Sequence, residues 1–184
     1  MKFYVGLANE DWIRTLKSKN TTIANYWKPG SKKRIAALKP GDLFLFKSHV
    51  AAGGKIVGCG SFVKYERLSI NQAWKTYGDA NGCNSLSDMK SRVERYRKRS
   101  EIANTSSNIG CIILSNLVFF DEAEYIAPPA DWNKAPFPGK TYSTDDKVGF
   151  ELYVDVCRRL RRIAQAGLVA LSWMSQFGGL THLV

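Results

Sequence analysis

The sequence predicts an α+β fold: a small, strongly bent mixed sheet or barrel with short flanking helices. Three observations carry this. Short runs with period-two alternation are interspersed with short runs of helical period. The longest alternating run is interrupted by Gly58 and Gly60, which weaken a straight strand and mark a bend or a close approach. The 184 residues, 45% of them hydrophobic, suffice for one core of ordinary size and therefore one domain.

The elements follow in order. KFYVGLA alternates and reads as a strand. NEDWIRTLKSK reads as a short helix, with Asn9 as cap, acids in the first turn, and Trp12, Ile13 and Leu16 on one face. NTTIANYWKPGSKKR reads as a loop broken at Pro29-Gly30, and RIAALKPGD as one helical turn ending at Pro40. DLFLFKSH and GKIVGCGSFVKYERL alternate and form two antiparallel strands joined at residues 51–54. SINQAWKTYGDANGC gives a helix capped by Ser69, and SLSDMKSRVERYRKRSE a second capped by Ser85 or Ser87. The second carries Lys90, Arg92, Arg95, Arg97, Lys98 and Arg99 and is the most basic segment. NIGCIILSNLVFF reads as a buried strand, and the Pro-rich DEAEYIAPPADWNKAPFPGKTYSTDD as a loop. VGFELYVDVCRRLRRI has helical period, with Phe150, Tyr153, Val154, Cys157 and Leu160 on one side. Residues 163–184 hold no charge, yet Gln, Ser, Gly, Thr and His interrupt them, which argues against a membrane span of about 20 apolar residues. We divide the chain into a domain of residues 1–162 and an uncharged tail of residues 163–184.

Lys and Arg number 27 against 16 Asp and Glu, a net charge of +11. Such a balance suits nucleic acid or an anionic membrane face, and the clustering of the cations favours nucleic acid. The four cysteines, Cys59, Cys83, Cys111 and Cys157, contain no C-x-x-C pair, so neither a zinc site nor a disulfide framework is expected. The apolar stretch within MKFYVGLANEDW is too short for a signal peptide, which points to the cytoplasm. Only His49 and His182 are available to a nucleophile–base pair. No Walker loop, no strand-to-helix G-x-G-x-x-G and no H-E-x-x-H occurs, and no cofactor is expected. Asp79, Asp88 and Lys90 have the residue types of a metal-dependent nuclease. Asp88 and Lys90, however, stand two apart on a predicted helix, where side chains do not face each other, and converging ligands are what metal chemistry needs.

Residues 25–62 gather the candidate binding groups. Tyr26 and Trp27 supply rings on which a base can stack, worth about 1–3 kcal/mol per base. Lys28, Lys32, Lys33, Arg34, Lys47 and Lys140 supply cations for phosphates. Phe46, Ser48 and His49 end a strand, where side chains reach a pocket mouth, and Lys47 points to the opposite face. Each has a plainer reading: rings as core, Trp27 as a loop anchor beside Pro29, lysines as a solvated surface.

The blocks KFYVGLANEDW and NYWKPGSKKRIAALKPGDLFLFKSHVAAGGKIVGCGSFV resemble the EVE branch of the PUA-like superfamily, whose relatives include YTH and ASCH domains. The ordered blocks NYWKP, LKPGDLFLFKSH, IVGCGSFV, AWKTYGDANG, IGCIILSNLVFFDE, PADWN and GKTYSTDD are similar to the N-terminal region of HNH-type, modification-dependent restriction endonucleases, over about residues 3–162. The resemblance implies a PUA-like barrel that flips a modified base of double-stranded DNA into an aromatic pocket. Carried over by position, the pocket candidates become Asn9, Trp12, Asn25, Trp27, Ser48 and His49, with Lys140 and Tyr142 of GKTY added. The sequence departs from that family in holding no HNH residues, so cleavage is not expected from this chain, and a separate nuclease subunit is a possible partner. The expectation is therefore a reader of methylated or hydroxymethylated cytosine, or of N6-methyladenine, in restriction or defence. RNA binding and a metal-dependent nuclease are the alternatives.

Overall fold

The computed structural model describes residues 1–30, 38–99, 108–132 and 139–166. Its centre is a six-stranded mixed sheet: β1 (Lys2–Leu7), β2 (Ile23–Lys28), β3 (Leu43–Lys47), β4 (Ile56–Ser69), β5 (Asn108–Phe119) and β6 (Gly139–Ser143), in the order β2-β5-β4-β3-β1-β6. β1 and β3 are parallel; every other neighbouring pair is antiparallel. Four helices flank it: α1 (Glu10–Ser18), α2 (Ile70–Tyr77), α3 (Leu86–Arg99) and α4 (Lys147–Gln165).

The expected α+β class and the strong bend are both present, but the sheet is open: β2 and β6 are its edges and do not pair. The bend lies in the long strand β4. Its pairing with β5 slips between Cys59 and Ser61 and again between Phe62 and Lys64, and such bulges increase local twist. Gly58 sits just before the first slip. A Cβ there would lie 2.5 Å from the Val118 carbonyl oxygen and 3.2 Å from Phe46, so only glycine admits this approach. The curl carries β2 over β1. The Tyr26 hydroxyl donates to the Leu7 carbonyl at 2.8 Å, across a part of the sheet in which the two strands are not neighbours.

Rings fill the inside of the curl. Tyr26 and Phe44 are 4.9 Å apart between centroids, Trp12 and Phe46 5.4 Å, and Phe46 and Phe119 5.7 Å. Leu16 of α1 and Leu114 complete this cluster. Complete burial of each phenylalanine contributes about 1.5–3 kcal/mol. The other face of the β1–β3–β4 half packs Phe3, Val5, Leu45, Phe120 and Trp132 against Leu152, Val156 and Leu160 of α4. A third cluster sets Ala73, Met89 and Val93 of α2 and α3 on Ile109, Cys111 and Ile113 of β5.

Local chemistry explains the helix starts. Asn9 accepts from the Asp11 amide, Asp146 from the Gly149 amide, and Ser85 from the Asp88 amide. Ser69 and Gln72 form a reciprocal capping box at α2. Three sequence expectations need correction. Ile23–Lys28 is an edge strand, not a loop, because β5 supplies its hydrogen bonds. Gly139–Ser143, inside the Pro-rich stretch, is likewise a strand, paired with β1. On α4 the buried stripe is Leu152, Val156, Cys157, Leu160 and Ala164, while Phe150 is 46% exposed. The helical turn expected at residues 34–40 falls largely outside the described residues, as does the tail beyond residue 166.

Candidate nucleic-acid interface

The expected pocket residues are distributed over both faces of the sheet. Trp12, Tyr26 and Phe46 lie in the ring cluster inside the curl, all three buried. Trp12 Nε1 also donates to the Asn25 carbonyl at 3.2 Å. Asn25 and Trp27 project from the other face of β2, toward α2 and α3. Asn25 Nδ2 donates to Asn81 Oδ1 at 2.9 Å, and Trp27 Nε1 to the Asn81 carbonyl at 3.0 Å. Ser48 is buried and pins its loop, accepting from the Lys55 amide at 3.0 Å. His49 is half-buried, one residue beyond it. Asn9 and the 48–49 pair lie at adjacent strand ends, because the Ala8 amide donates to the Lys47 carbonyl at 2.8 Å. Asn9 spends Oδ1 on its helix and leaves Nδ2 unused among the described residues.

Tyr142 is buried on the α4 face, stacked on Phe3 at 5.8 Å, and its hydroxyl donates to Asp131 Oδ1 at 2.9 Å. Lys140 pairs with Asp131 and stands 4.9 Å from the centre of the Tyr142 ring. Burial alone would raise the Asp131 pKa; the Lys140 and Tyr142 hydrogen bonds hold it below the usual carboxylate value. Tyr142 is raised, first by burial and then by the carboxylate. Lys32, Lys33 and Arg34 lie outside the described residues.

Lys28 and Lys47, unlike most of the lysines, are desolvated with no carboxylate partner among the described residues. Lys28, half-buried at the end of β2, donates to the Tyr4 hydroxyl at 3.3 Å and lies 5.2 Å from the centre of its ring. Desolvation lowers its pKa. Lys47 is 1% exposed, donates to the Ser48 carbonyl at 3.3 Å, and sits 5.0 Å from the Trp132 ring centre. Its pKa is also lowered by desolvation. A ring face offers a cation modest attraction and no countercharge. Lys28 stands at a partly open rim and retains access to an anion; Lys47 does not.

This yields a test on Lys47. Its folded pKa lies below the ordinary 10.5, so folding disfavours the charged form. The penalty is full at pH values below the folded pKa and fades as pH rises toward 10.5. Lys47→Met is expected to raise stability by about 1 kcal/mol at pH 7, since a desolvated charge is exchanged for an apolar chain. That gain shrinks as unfolding is measured at increasing pH up to 10.5. A destabilised variant would show that the ring and carbonyl contacts outweigh desolvation.

Other candidate groups are committed elsewhere. Asp88 pairs with Arg92 at 2.8 Å and accepts from the Asn84 amide; Asp79 meets Lys19 at 3.6 Å; Lys90 is exposed. Burial would raise the Asp88 pKa, but Arg92 and the amide lower it. Among the described residues no group of three or more His, Cys, Asp or Glu could hold a metal, and no helix is long and apolar enough to cross a membrane. All four cysteines are free and buried.

Sequence reasoning missed Tyr4, Arg67, Asp131 and Trp132 as neighbours of the candidate cations. PADWN carried the last two in plain view, but nothing in it indicated that they would meet Lys140 and Lys47. Arg67 comes into play through register alone: Lys28 pairs with Gly110, and Gly110 with Arg67.

No family model and no curated protein matches this chain. Solved structures of ASCH from Zymomonas mobilis are similar to it. A tyrosine-to-phenylalanine mutant of ZmASCH has 12% identity and a TM-score of 0.49, covering 84% of this chain and 97% of that one. The ASCH structure without substitution gives 10%, 0.47, 80% and 92%, and a serine-to-alanine mutant 10%, 0.49, 84% and 95%. At identities this low no residue role is taken from these structures.

Proposed function

We propose that this protein is a PUA-like nucleic-acid-binding module that reads a modified base in DNA and performs no chemistry of its own. The observation that carries the binding is Lys28: a partly desolvated ammonium at the sheet rim, held by Tyr4, with no carboxylate beside it among the described residues. A phosphate oxygen supplies the missing countercharge, and the net charge of +11 supplies the long-range attraction. Asn9 and His49, half-buried at neighbouring strand ends, support base reading as polar groups for a base edge. The ordered sequence blocks that resemble those of modification-dependent endonucleases are what favours DNA as the substrate and a modified base as the mark.

The test is an anisotropy titration at one fixed salt concentration. Matched duplexes carry cytosine, 5-methylcytosine, 5-hydroxymethylcytosine or N6-methyladenine, with an RNA of the same sequence alongside. One modified duplex is expected to bind at least tenfold more tightly than the unmodified one. Lys28→Gln is expected to weaken every duplex by roughly tenfold, the size of one charge-assisted contact. Equal affinity for all duplexes would remove base reading. Preference for RNA would move the module to RNA, and an unaffected Lys28→Gln would remove the phosphate contact.

A further inference from the structure

We infer that Val50, at the tip of the β3–β4 hairpin, is an apolar wedge that enters the stack of a DNA duplex beside the base being read. This rests on the modified-base reading above and assigns it a residue that opens the duplex. Val50 is 81% exposed, more than any other large apolar residue among the described ones. A single exposed valine is ordinary on a protein surface. What sets this one apart is how firmly its turn is held. The Ser48 amide donates to the Lys55 carbonyl at 2.8 Å, and the Lys55 amide to Ser48 Oγ at 3.0 Å, which closes the base of the turn. Within it, the Ala52 and Gly54 amides both donate to the His49 carbonyl at 2.9 Å, and the Gly53 amide to the Val50 carbonyl at 3.0 Å. Gly53 and Gly54, with φ +87° and +64°, make the reversal, and a Cβ on Gly54 would stand 3.4 Å from Lys47 Nζ. A tip that is ordered before binding loses little entropy when it inserts.

The chemistry of the tip selects the partner. Val50 is followed by Ala51, Ala52, Gly53 and Gly54, so it is the bulkiest side chain of the turn. It is a point and not a patch. A stable protein interface takes about 800 Å² from each partner, far more than one valine and its small neighbours offer. A base step admits a single apolar side chain, and apolar wedges between base steps are a general way to unstack a duplex. The charge agrees: the chain has no acid between Asp42 and Glu66, and Lys55 beside the tip is exposed. So does the position. His49 directly precedes Val50, and Asn9 follows Ala8, whose amide bonds the Lys47 carbonyl. The wedge and the two polar groups for a base edge therefore stand at one end of the sheet. A base that leaves the stack costs stacking energy, and the valine offsets part of it by filling the gap.

The experiment uses the full chain and the modified duplex that binds most tightly in the titration above, with 2-aminopurine next to the modified base. Its fluorescence is expected to rise on binding, as unstacking relieves quenching. Val50→Ser is expected to lose most of that rise and to weaken the duplex at least about tenfold. It is expected to leave binding of the single strand with the same modified base unchanged, since that strand has no duplex to open. Val50→Leu keeps an apolar wedge and is expected to retain the rise. Val63→Ser, a second exposed valine on β4, is expected to change nothing. An unaltered rise and affinity in Val50→Ser overturn the wedge and leave the base reading in place. Equal weakening of duplex and single strand also overturns it, because Val50 then contacts the strand without opening a duplex. Preference for the modified duplex without any rise overturns it as well. No preference for any modified duplex by the unmodified chain overturns the base reading and the wedge with it.

Discussion

Asn81→Ala is expected to lower the free energy of unfolding by about 3 kcal/mol. Asn81 is fully buried in the short turn Gly78–Asn81 that follows α2. Its Nδ2 donates to the Ala73 carbonyl at 3.1 Å and the Gly78 carbonyl at 2.8 Å, and its Oδ1 accepts from Asn25 Nδ2. Truncation leaves two buried polar groups and the half-buried Gly78 carbonyl short of a partner, each worth about 1 kcal/mol. The effect reaches the candidate interface, because the Asn81 carbonyl also holds Trp27 next to Lys28. Urea unfolding followed by circular dichroism measures it; a loss below about 1 kcal/mol would mean that water replaces these bonds and that the turn is not the anchor of β2.

Gly82→Ala is expected to cost about 3 kcal/mol as well, by a different route. Gly82 has φ +65°, where a Cβ costs about 1 kcal/mol. A Cβ there would also stand 2.2 Å from Trp12 Cδ1, so the indole must move. Its bond to Asn25 and its edge-on contacts with Tyr26 and Phe46 weaken together. For a chain of this size the loss corresponds to a fall in Tm of roughly 10 °C. Gly41→Ala is the matched comparison: its φ is +91°, yet no atom lies within 4 Å of the added carbon, so only the backbone cost of about 1 kcal/mol is expected. Equal falls in both variants would show that the contact with Trp12 contributes nothing.

These two positions also show what kind of information a sequence lacks. DANGC reads as a turn, and it is one. Nothing local says that its asparagine will meet Asn25, 56 residues earlier, or that its glycine will lie under Trp12. The same holds for the two edge strands. NTTIANYWKPG is polar at one end and broken by Pro-Gly at the other, and GKTYS hides among prolines; each becomes a strand because a partner supplies register and hydrogen bonds. Phe150 illustrates a third case. Helical period marks a stripe on α4, but the orientation of the helix on the sheet decides which side of that stripe is covered.

The α+β class, the hairpin of β3 and β4, the bend at the glycines of β4, the helix caps at Asn9, Ser69 and Ser85, and the strongly cationic character are all legible in the residues alone. All of these arise from interactions over a few residues or from composition, so period, capping chemistry and charge count reveal them. Which rings are core and which cations stand at the rim follows from long-range packing instead. The curl of the sheet draws Trp12, Tyr26 and Phe46 into its interior and sends Asn25 and Trp27 to the opposite side. It leaves Lys28 on Tyr4 and in register with Arg67. Those placements depend on strand register and on the bulges in β4, where a slip of one residue would send each side chain to the other face.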